Sequence, residues 1–193
     1  MELLKNKILN EGEIYEGNVL KVDCFLNHQI DVSFLREVGK EFYRLFKDQG
    51  VNKILTIEAS GIAIASMVAQ EFGCPLLFAK KTKTKNIAGD VYTTAVESYT
   101  HGTTYTIMVS KRFLGKGDKV LIIDDFLAIG NALNGLIDLV KDSGAELAGC
   151  GVVIEKGYQG GGDKLREQGI KVESLAIVES MNHEKGEIVF RNE

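Results

Sequence analysis

Apolar residues follow two alternating patterns along this chain, and together they predict a sheet flanked by helices. Short continuous runs are typical of strands buried on both faces of a parallel sheet; they occur at 53–57, 76–79, 120–123 and 147–154. Apolar residues at helical spacing separate them, at 34–46, 62–72 and 133–140. Strands that alternate with helices imply right-handed crossovers. We therefore expect an α/β fold with a central, mostly parallel sheet.

Smaller elements are predicted outside this alternation. They are a short helix at 1–10, a strand at 19–23, a polar loop at 25–31, a flexible glycine connection at 160–162, a short helix at 164–168, a strand at 172–178 and a closing strand or hood element at 181–191. In the first helix, the apolar side chains are expected on one side; they are Leu3, Leu4, Ile8 and Leu9.

Composition narrows the class of protein. A chain of 193 residues with 45% apolar and 26% charged residues is typical of one ordinary globular domain. The net charge of −4 offers no overall attraction to nucleic acid or to an anionic membrane. Three widely spaced cysteines, Cys24, Cys74 and Cys150, are expected to be buried thiols in a reducing cytosol. No signal peptide or membrane span is expected.

The most informative stretch is 120–133, where an apolar strand leads into Asp124 and Asp125, then a loop of small residues, then a helix. Such a loop lets backbone N–H groups converge on an anion at the positive end of the helix dipole. Acids beside it repel phosphate, so they suit sugar hydroxyls or a hard cation. The implied ligand is a phosphorylated sugar. The simpler alternative is that the acids only form a turn and cap the helix.

This stretch resembles the phosphoribosyl pyrophosphate motif of type I phosphoribosyltransferases. The resemblance implies that Asp124 and Asp125 are catalytic residues that hold the ribose hydroxyls. It also implies a loop around the 5′-phosphate, made of Ala128, Ile129, Gly130, Asn131 and Ala132. The family commonly has hydroxyl residues where this chain has Ile129 and Ala132, so binding would depend more on backbone amides.

A second turn ahead of a helix matches the pyrophosphate loop of the same family. It consists of Ala59, Ser60 and Gly61, between the strand 53–57 and the helix 62–72. A helix that begins with small residues offers N–H groups to an anion. The alternative is an ordinary tight connection between a strand and a helix.

Three residues are candidates for recognition of a purine base. The stretch 19–31 is similar to the hood of xanthine phosphoribosyltransferases, in which residues matching Leu20 and Asn27 line the base pocket. Lys156 lies where purine enzymes of the family carry a base-binding lysine, and an ammonium with three donors suits an oxo group. The alternatives are an N-terminal flap that only packs on the domain and a solvated surface lysine.

The segment at about 80–105 is long and polar, which is more often functional than idle in a compact domain. We expect a lid or a weakly ordered hairpin, and its position matches the flexible loop of the family. The candidates to neutralise pyrophosphate are Lys80, Lys81, Lys83 and Arg112. The alternative for the lysine run is a solvated face.

The resemblance spans essentially the whole chain and implies transfer of the 5-phosphoribosyl group from phosphoribosyl pyrophosphate to xanthine in purine salvage, with Mg²⁺ on the pyrophosphate substrate. It also implies a homodimer whose hood comes from 1–32 and the C-terminal tail, while the cysteines and the net charge favour a cytoplasmic protein with no nucleic-acid or membrane partner. The alternatives are a hypoxanthine or guanine phosphoribosyltransferase, or a regulator that senses phosphoribosyl pyrophosphate. A regulator that binds nucleic acid normally needs an added basic module, which a net charge of −4 disfavours. No GxGxxG follows a strand, which disfavours a Rossmann-like protein.

Overall fold

The computed structural model describes residues 1–17, 19–81, 89–97 and 104–192. The helices are α1 (Glu2–Glu11), α2 (Val32–Phe46), α3 (Gly61–Phe72), α4 (Asn131–Ser143) and α5 (Gly161–Glu167). The strands are β1 (Glu13–Tyr15), β2 (Val19–Lys21), β3 (Lys53–Ile57), β4 (Leu76–Ala79), β5 (Val91–Glu97), β6 (Thr104–Ser110), β7 (Lys119–Leu127), β8 (Glu146–Lys156), β9 (Val172–Asn182) and β10 (Glu187–Phe190).

A six-stranded sheet in the order β10-β9-β8-β7-β3-β4 confirms the predicted α/β architecture. Strands β9, β8, β7, β3 and β4 are mutually parallel, and β10 runs antiparallel to β9 as the predicted closing strand. The carboxyl ends of β3, β7 and β8 therefore meet at one edge of the sheet. This is the edge at which open α/β sheets gather their ligands.

Both faces of the central strands are buried, which explains their continuous apolar runs. Successive residues of a strand point to opposite faces, so Ile54 packs with the layer of α2 and α3, whereas Leu55 packs with the layer of α4. Leu121 and Ile122 divide in the same way on β7. The Asp31 side chain accepts a hydrogen bond of 3.0 Å from the Phe34 N–H, which caps the start of α2.

The N-terminal elements correct three expectations. Leu4 and Ile8 are buried in the core. The exposed fractions of Leu3 and Leu9 are 49% and 54%, because i, i+4 spacing puts only the first pair on the inner face. The predicted polar loop at 25–31 begins instead inside a π-helical turn, Asp23–Asn27, whose Phe25 and Leu26 are fully buried. Cys24 in that turn is exposed, whereas Cys150 is buried as predicted.

A two-stranded antiparallel ribbon, β5 with β6, occupies part of the predicted flexible loop. Apolar side chains anchor it, since Val96 and Ile107 are buried against α4, where a Cβ on Gly135 would meet them at 2.5 and 3.2 Å. Val96 is therefore a buried apolar anchor inside the segment predicted to be a polar loop. The rest of the predicted loop, 82–88 and 98–103, including Lys83, lies outside the described residues.

The flexible glycine connection predicted at 160–162 is wrong for two of its three residues. Gly161 and Gly162 are buried residues of the first turn of α5 rather than a flexible link. Strand β8 continues through Lys156 before a 3-10 turn, Gly157–Gln159. Within the described residues, no helix combines the length and apolar character needed to cross a bilayer.

Candidate active site

The acid pair lies inside strand β7, not beyond its end as predicted. Asp124 pairs with Val152 of β8, and the ladder continues to Leu127 because β8 extends alongside it. The backbone N–H of Asp125 donates to Asp124 Oδ1 at 3.0 Å, and the N–H of Phe126 donates to Asp125 Oδ1 at 3.0 Å. The two carboxyl groups are therefore held against the strand at the carboxyl edge of the sheet.

The environment of Asp124 disfavours its negative charge. Its exposed fraction is 5%, and burial raises the pKa of this carboxyl well above its ordinary value. The neighbouring charge of Asp125 raises the pKa of Asp124 further, whereas the positive charge of Lys81 lowers it. A ligand that brings hydroxyl donors or positive charge would stabilise the ionised pair.

The predicted pyrophosphate turn lies directly beside this pair. Strand β3 ends at Ile57, and α3 begins at Gly61 with Ser60 as its N-cap residue. A Cβ on Gly61 would stand 2.1 Å from Thr56 Oγ1 and 3.4 Å from Asp124 Oδ1. Only glycine fits this approach, so the turn and the acid pair lie side by side. Thr56 Oγ1 is buried and has no hydrogen-bond partner within the described residues.

The loop after β7 has the geometry of an anion cradle. Gly130 has φ +94°, in the left-handed region that glycine adopts readily, and precedes the first turn of α4. The N–H groups of that turn have no partner inside the helix, so those of Asn131 and Ala132 are available to an anion. The Asn131 side chain instead donates to the Glu97 carbonyl of the ribbon at 2.9 Å.

The N-terminal segment contacts the acid pair through Asn27. Its Nδ2 donates to Asp125 Oδ2 at 3.1 Å, although the two residues are 98 positions apart in sequence. Leu20, on β2, is 6% exposed and packs in the apolar core that also contains residues of α2, α3 and the central sheet. Lys156 is the last residue of β8, one position beyond the pairing of Leu127 with Glu155, and half-burial lowers its pKa. It lies at the same edge, but inside the strand rather than after it.

Three of the four basic candidates for pyrophosphate lie in the described residues, and they occupy different positions; Lys83 lies outside them. Lys80 and Arg112 line a cavity of about 590 Å³ beside β4 and β6, together with Lys53 and Phe113. Lys81 donates its backbone N–H to Glu58 Oε1 at 2.7 Å, next to the 59–61 turn. Lys81 is also the candidate whose charge acts on Asp124.

Sequence comparison agrees with this geometry. A family model described as the phosphoribosyl transferase domain matches residues 28–183. The chain belongs to the phosphoribosyltransferase family. That match includes the acid pair, the two loops and Lys156, and it confirms the resemblance drawn from the 120–133 stretch.

Two members of this family resemble the chain over its whole length. A xanthine phosphoribosyltransferase of Lachnoclostridium phytofermentans is 59% identical over 193 residues and covers 100% of both chains. A xanthine phosphoribosyltransferase of Bifidobacterium adolescentis is 53% identical over 193 residues, again with 100% of both chains covered.

Solved phosphoribosyltransferases share the fold. The adenine phosphoribosyltransferase of Leishmania tarentolae superposes with a TM-score of 0.74 at 19% identity, covering 91% of this chain and 87% of the other. The adenine phosphoribosyltransferase of Giardia lamblia, complexed with 9-deazaadenine, has a TM-score of 0.67 at 28% identity and covers 76% and 80% of the two chains. These likenesses confirm the type I phosphoribosyltransferase fold.

Two features of this phosphoribosyltransferase site were missed from sequence. Thr56 lies in an apolar strand and carries no motif of its own, so only its approach to Gly61 reveals it. Glu155 precedes Lys156 in the chain, and its side chain is completely buried. A glutamate inside the apolar run of β8 was a usable signal, because a buried acid needs a partner.

Proposed function

We propose that this protein transfers the 5-phosphoribosyl group of phosphoribosyl pyrophosphate to xanthine, giving xanthosine 5′-monophosphate and pyrophosphate. The observation that carries the proposal is identity of 53–59% over the full chain with xanthine phosphoribosyltransferases. Such a reaction serves purine salvage. The assembled carboxyl edge, with an acid pair between two helix-terminal loops, supports the same conclusion.

Each part of the edge has a role in holding phosphoribosyl pyrophosphate. Asp124 and Asp125 accept hydrogen bonds from the ribose hydroxyls, and the backbone of 128–132 binds the 5′-phosphate. The turn 59–61 binds pyrophosphate at the start of α3, beside Asp124. The bond between the anomeric carbon and pyrophosphate breaks as a purine nitrogen attacks, through an oxocarbenium-like transition state. The negative acid pair stabilises the positive charge that develops on the sugar.

The base is recognised by the hood and by the end of β8. Lys156 donates to an oxo group of xanthine, where adenine would present an amino donor. Asn27 binds at the boundary between base and ribose, since its amide already contacts Asp125. Leu20 contributes an apolar contact from the hood. Rejection of adenine should be on the order of a thousandfold, because two donors facing each other are left unpaired.

Magnesium fits the donor set of this site. Members of the family generally use Mg²⁺ with phosphoribosyl pyrophosphate. Within the described residues, no group of three or more His, Cys, Asp or Glu side chains converges on a metal position. Two carboxylates at the ligand edge suit a hard cation that keeps most of its shell from water and substrate oxygens. Bound there, Mg²⁺ would neutralise charge on the pyrophosphate leaving group.

The family resemblance also supports a cytoplasmic location and a homodimer. The arrangement as one domain, with a hood from 1–32 and the tail, and the closing of 80–105 over the site remain predictions. Closing would keep water from the activated sugar. Sedimentation of the protein as a monomer would contradict the homodimer.

A direct assay tests the proposal. Protein, phosphoribosyl pyrophosphate and Mg²⁺ are incubated with xanthine, hypoxanthine, guanine or adenine, and release of pyrophosphate is followed. We expect the highest kcat/KM with xanthine. Release with guanine or hypoxanthine but not xanthine would refute the base assignment. Absence of release with every base would refute the reaction. Replacing both Asp124 and Asp125 by Asn should preserve the circular dichroism spectrum and abolish turnover.

A further inference from the structure

We infer that the first turn of α5 supports the 5′-phosphate loop from behind, and that Gly161, Gly162 and Glu155 are positioning residues for phosphoribosyl pyrophosphate. This inference rests on the proposed function, because it takes 128–132 as the phosphate site. None of the three residues belongs to a phosphate-binding motif. Their role follows from contacts across the sheet edge.

Gly161 is in direct backbone contact with the loop. A Cβ at this position would stand 2.3 Å from the Ala128 carbonyl oxygen, 2.6 Å from the Ile129 carbonyl carbon and 2.9 Å from the Gly130 nitrogen. All three are main-chain atoms, which cannot turn away as a side chain can. Any side chain on Gly161 must therefore displace the phosphate loop or α5.

The next residue, Gly162, contacts the buried carboxylate of Glu155. A Cβ there would stand 2.1 Å from Glu155 Oε1. Glu155 is completely buried, and it pairs with Leu127 across the β7–β8 ladder. Leu127 is the last residue before the phosphate loop. Glu155 therefore contacts α5 and lies opposite the start of the loop.

Hydrogen bonds from two side chains hold Glu155 in this place. Arg166, in the last turn of α5, donates from Nη1 at 3.0 Å to Oε1 and from Nη2 at 2.6 Å to Oε2. The Ser174 hydroxyl of β9 donates to Oε2. Arg166 and Arg191 of the tail also both donate to Asp163. A continuous set of contacts thus ties α5 to β8, β9 and the tail.

The composition of the loop makes this support functionally important. Ile129 and Ala132 offer no side-chain hydroxyl to a phosphate, so the loop must bind through backbone N–H groups. Those groups are effective only when they are held close to the productive geometry. A displacement of the loop should therefore reduce affinity for the 5′-phosphate and leave the other subsites intact.

Gly161→Ala tests the inference. Affinity for phosphoribosyl pyrophosphate alone is measured by calorimetry, followed by KM for both substrates and inhibition by pyrophosphate. We expect phosphoribosyl pyrophosphate to bind on the order of a hundredfold more weakly. KM for xanthine and inhibition by pyrophosphate should stay within about twofold of the parent, because those subsites do not touch Gly161.

Two controls separate positioning from loss of stability. Gly149→Ala introduces a comparable clash near the amino end of β8, 2.7 Å from Phe46 and 2.9 Å from the Lys171 carbonyl. It should lower thermal stability without changing affinity for phosphoribosyl pyrophosphate. Gly115→Ala meets nothing within 4 Å and should change neither quantity.

The outcomes are decisive in each case. A folded Gly161→Ala variant with parental affinity overturns the inference, as does an equal loss of affinity in Gly149→Ala. If Gly161→Ala does not fold, Ser174→Ala decides, since it removes the hydrogen bond that Ser174 donates to Glu155 and the one that it accepts from Arg166. About a threefold weaker binding of phosphoribosyl pyrophosphate with unchanged pyrophosphate inhibition supports the inference, and unchanged binding overturns it. A parent protein that binds no phosphoribosyl pyrophosphate refutes the proposed function itself.

Discussion

The ion pair of buried Glu155 with Arg166 predicts that replacing glutamate by glutamine lowers the free energy of unfolding far more at this position than at an exposed glutamate. Glu155→Gln keeps the size and shape of the side chain but removes its charge. One carboxylate oxygen becomes an NH₂ donor, which then faces a guanidinium N–H group of Arg166 in either orientation, because each oxygen of Glu155 accepts from that side chain. Donor against donor cannot form a hydrogen bond, and the position is sealed from water because Glu155 is 0% exposed.

The expected loss follows from these contacts. A hydrogen bond to a charged group contributes about 1.5–3 kcal/mol, and breaking a buried pair costs about 3–5 kcal/mol. Arg166 is 30% exposed and keeps its hydrogen bond to Asp163, which reduces the penalty of the broken pair. We therefore expect the free energy of unfolding to fall by about 2–4 kcal/mol, or Tm to fall by roughly 5–15 °C in a protein of this size.

Glu37→Gln is the matched control. Glu37 pairs with Lys40 at 2.7 Å on the exposed face of α2, where the two side chains are 45% and 52% exposed. An exposed pair of this kind contributes at most about 0.5 kcal/mol. Urea denaturation of both variants, followed by circular dichroism, measures the difference. Equal stability of Glu155→Gln and Glu37→Gln would refute the argument that burial makes the Glu155 pair structurally important.

Three further predictions concern the site. Lys156→Met should cut kcat/KM for xanthine by about tenfold to a thousandfold, while binding of phosphoribosyl pyrophosphate stays nearly intact. Unchanged xanthine kinetics would show that another group recognises the base. Burial raises the pKa of Asp124 above its ordinary 3.8, so the folded state holds this proton more tightly than the unfolded state. The free energy of unfolding should then decline as pH rises from about 4 towards the folded pKa. Denaturation at several pH values should show a smaller decline in Asp124→Asn than in the parent. The same decline in both proteins would contradict this prediction. Lys81→Met should weaken inhibition by pyrophosphate about fivefold or more, whereas Lys80→Met, on the cavity side, should change it little. Equal effects of the two substitutions would contradict the assignment of Lys81 as the pyrophosphate contact.

Local patterns in the sequence were sufficient for the architecture and for the centre of the site. Continuous apolar runs identified the buried parallel strands, because strands covered on both faces cannot alternate with polar residues. The acid pair followed by Gly130 and the start of α4 predicted a phosphorylated-sugar site, because strand, loop and helix start are contiguous in the chain. Both conclusions depend on interactions between near neighbours, and these are encoded in spacing.

Only the tertiary structure decided which distant residues complete the site. Asn27 donates a hydrogen bond to Asp125 across 98 positions, because the N-terminal segment packs beside the carboxyl end of β7. Lys81 and Lys80 are adjacent in sequence, yet only Lys80 lines the cavity beside β4. Gly161 was expected in a flexible link, but the close approach of α5 to the loop requires glycine there. Such contacts depend on which surfaces pack together, and no local pattern of residue types specifies that packing.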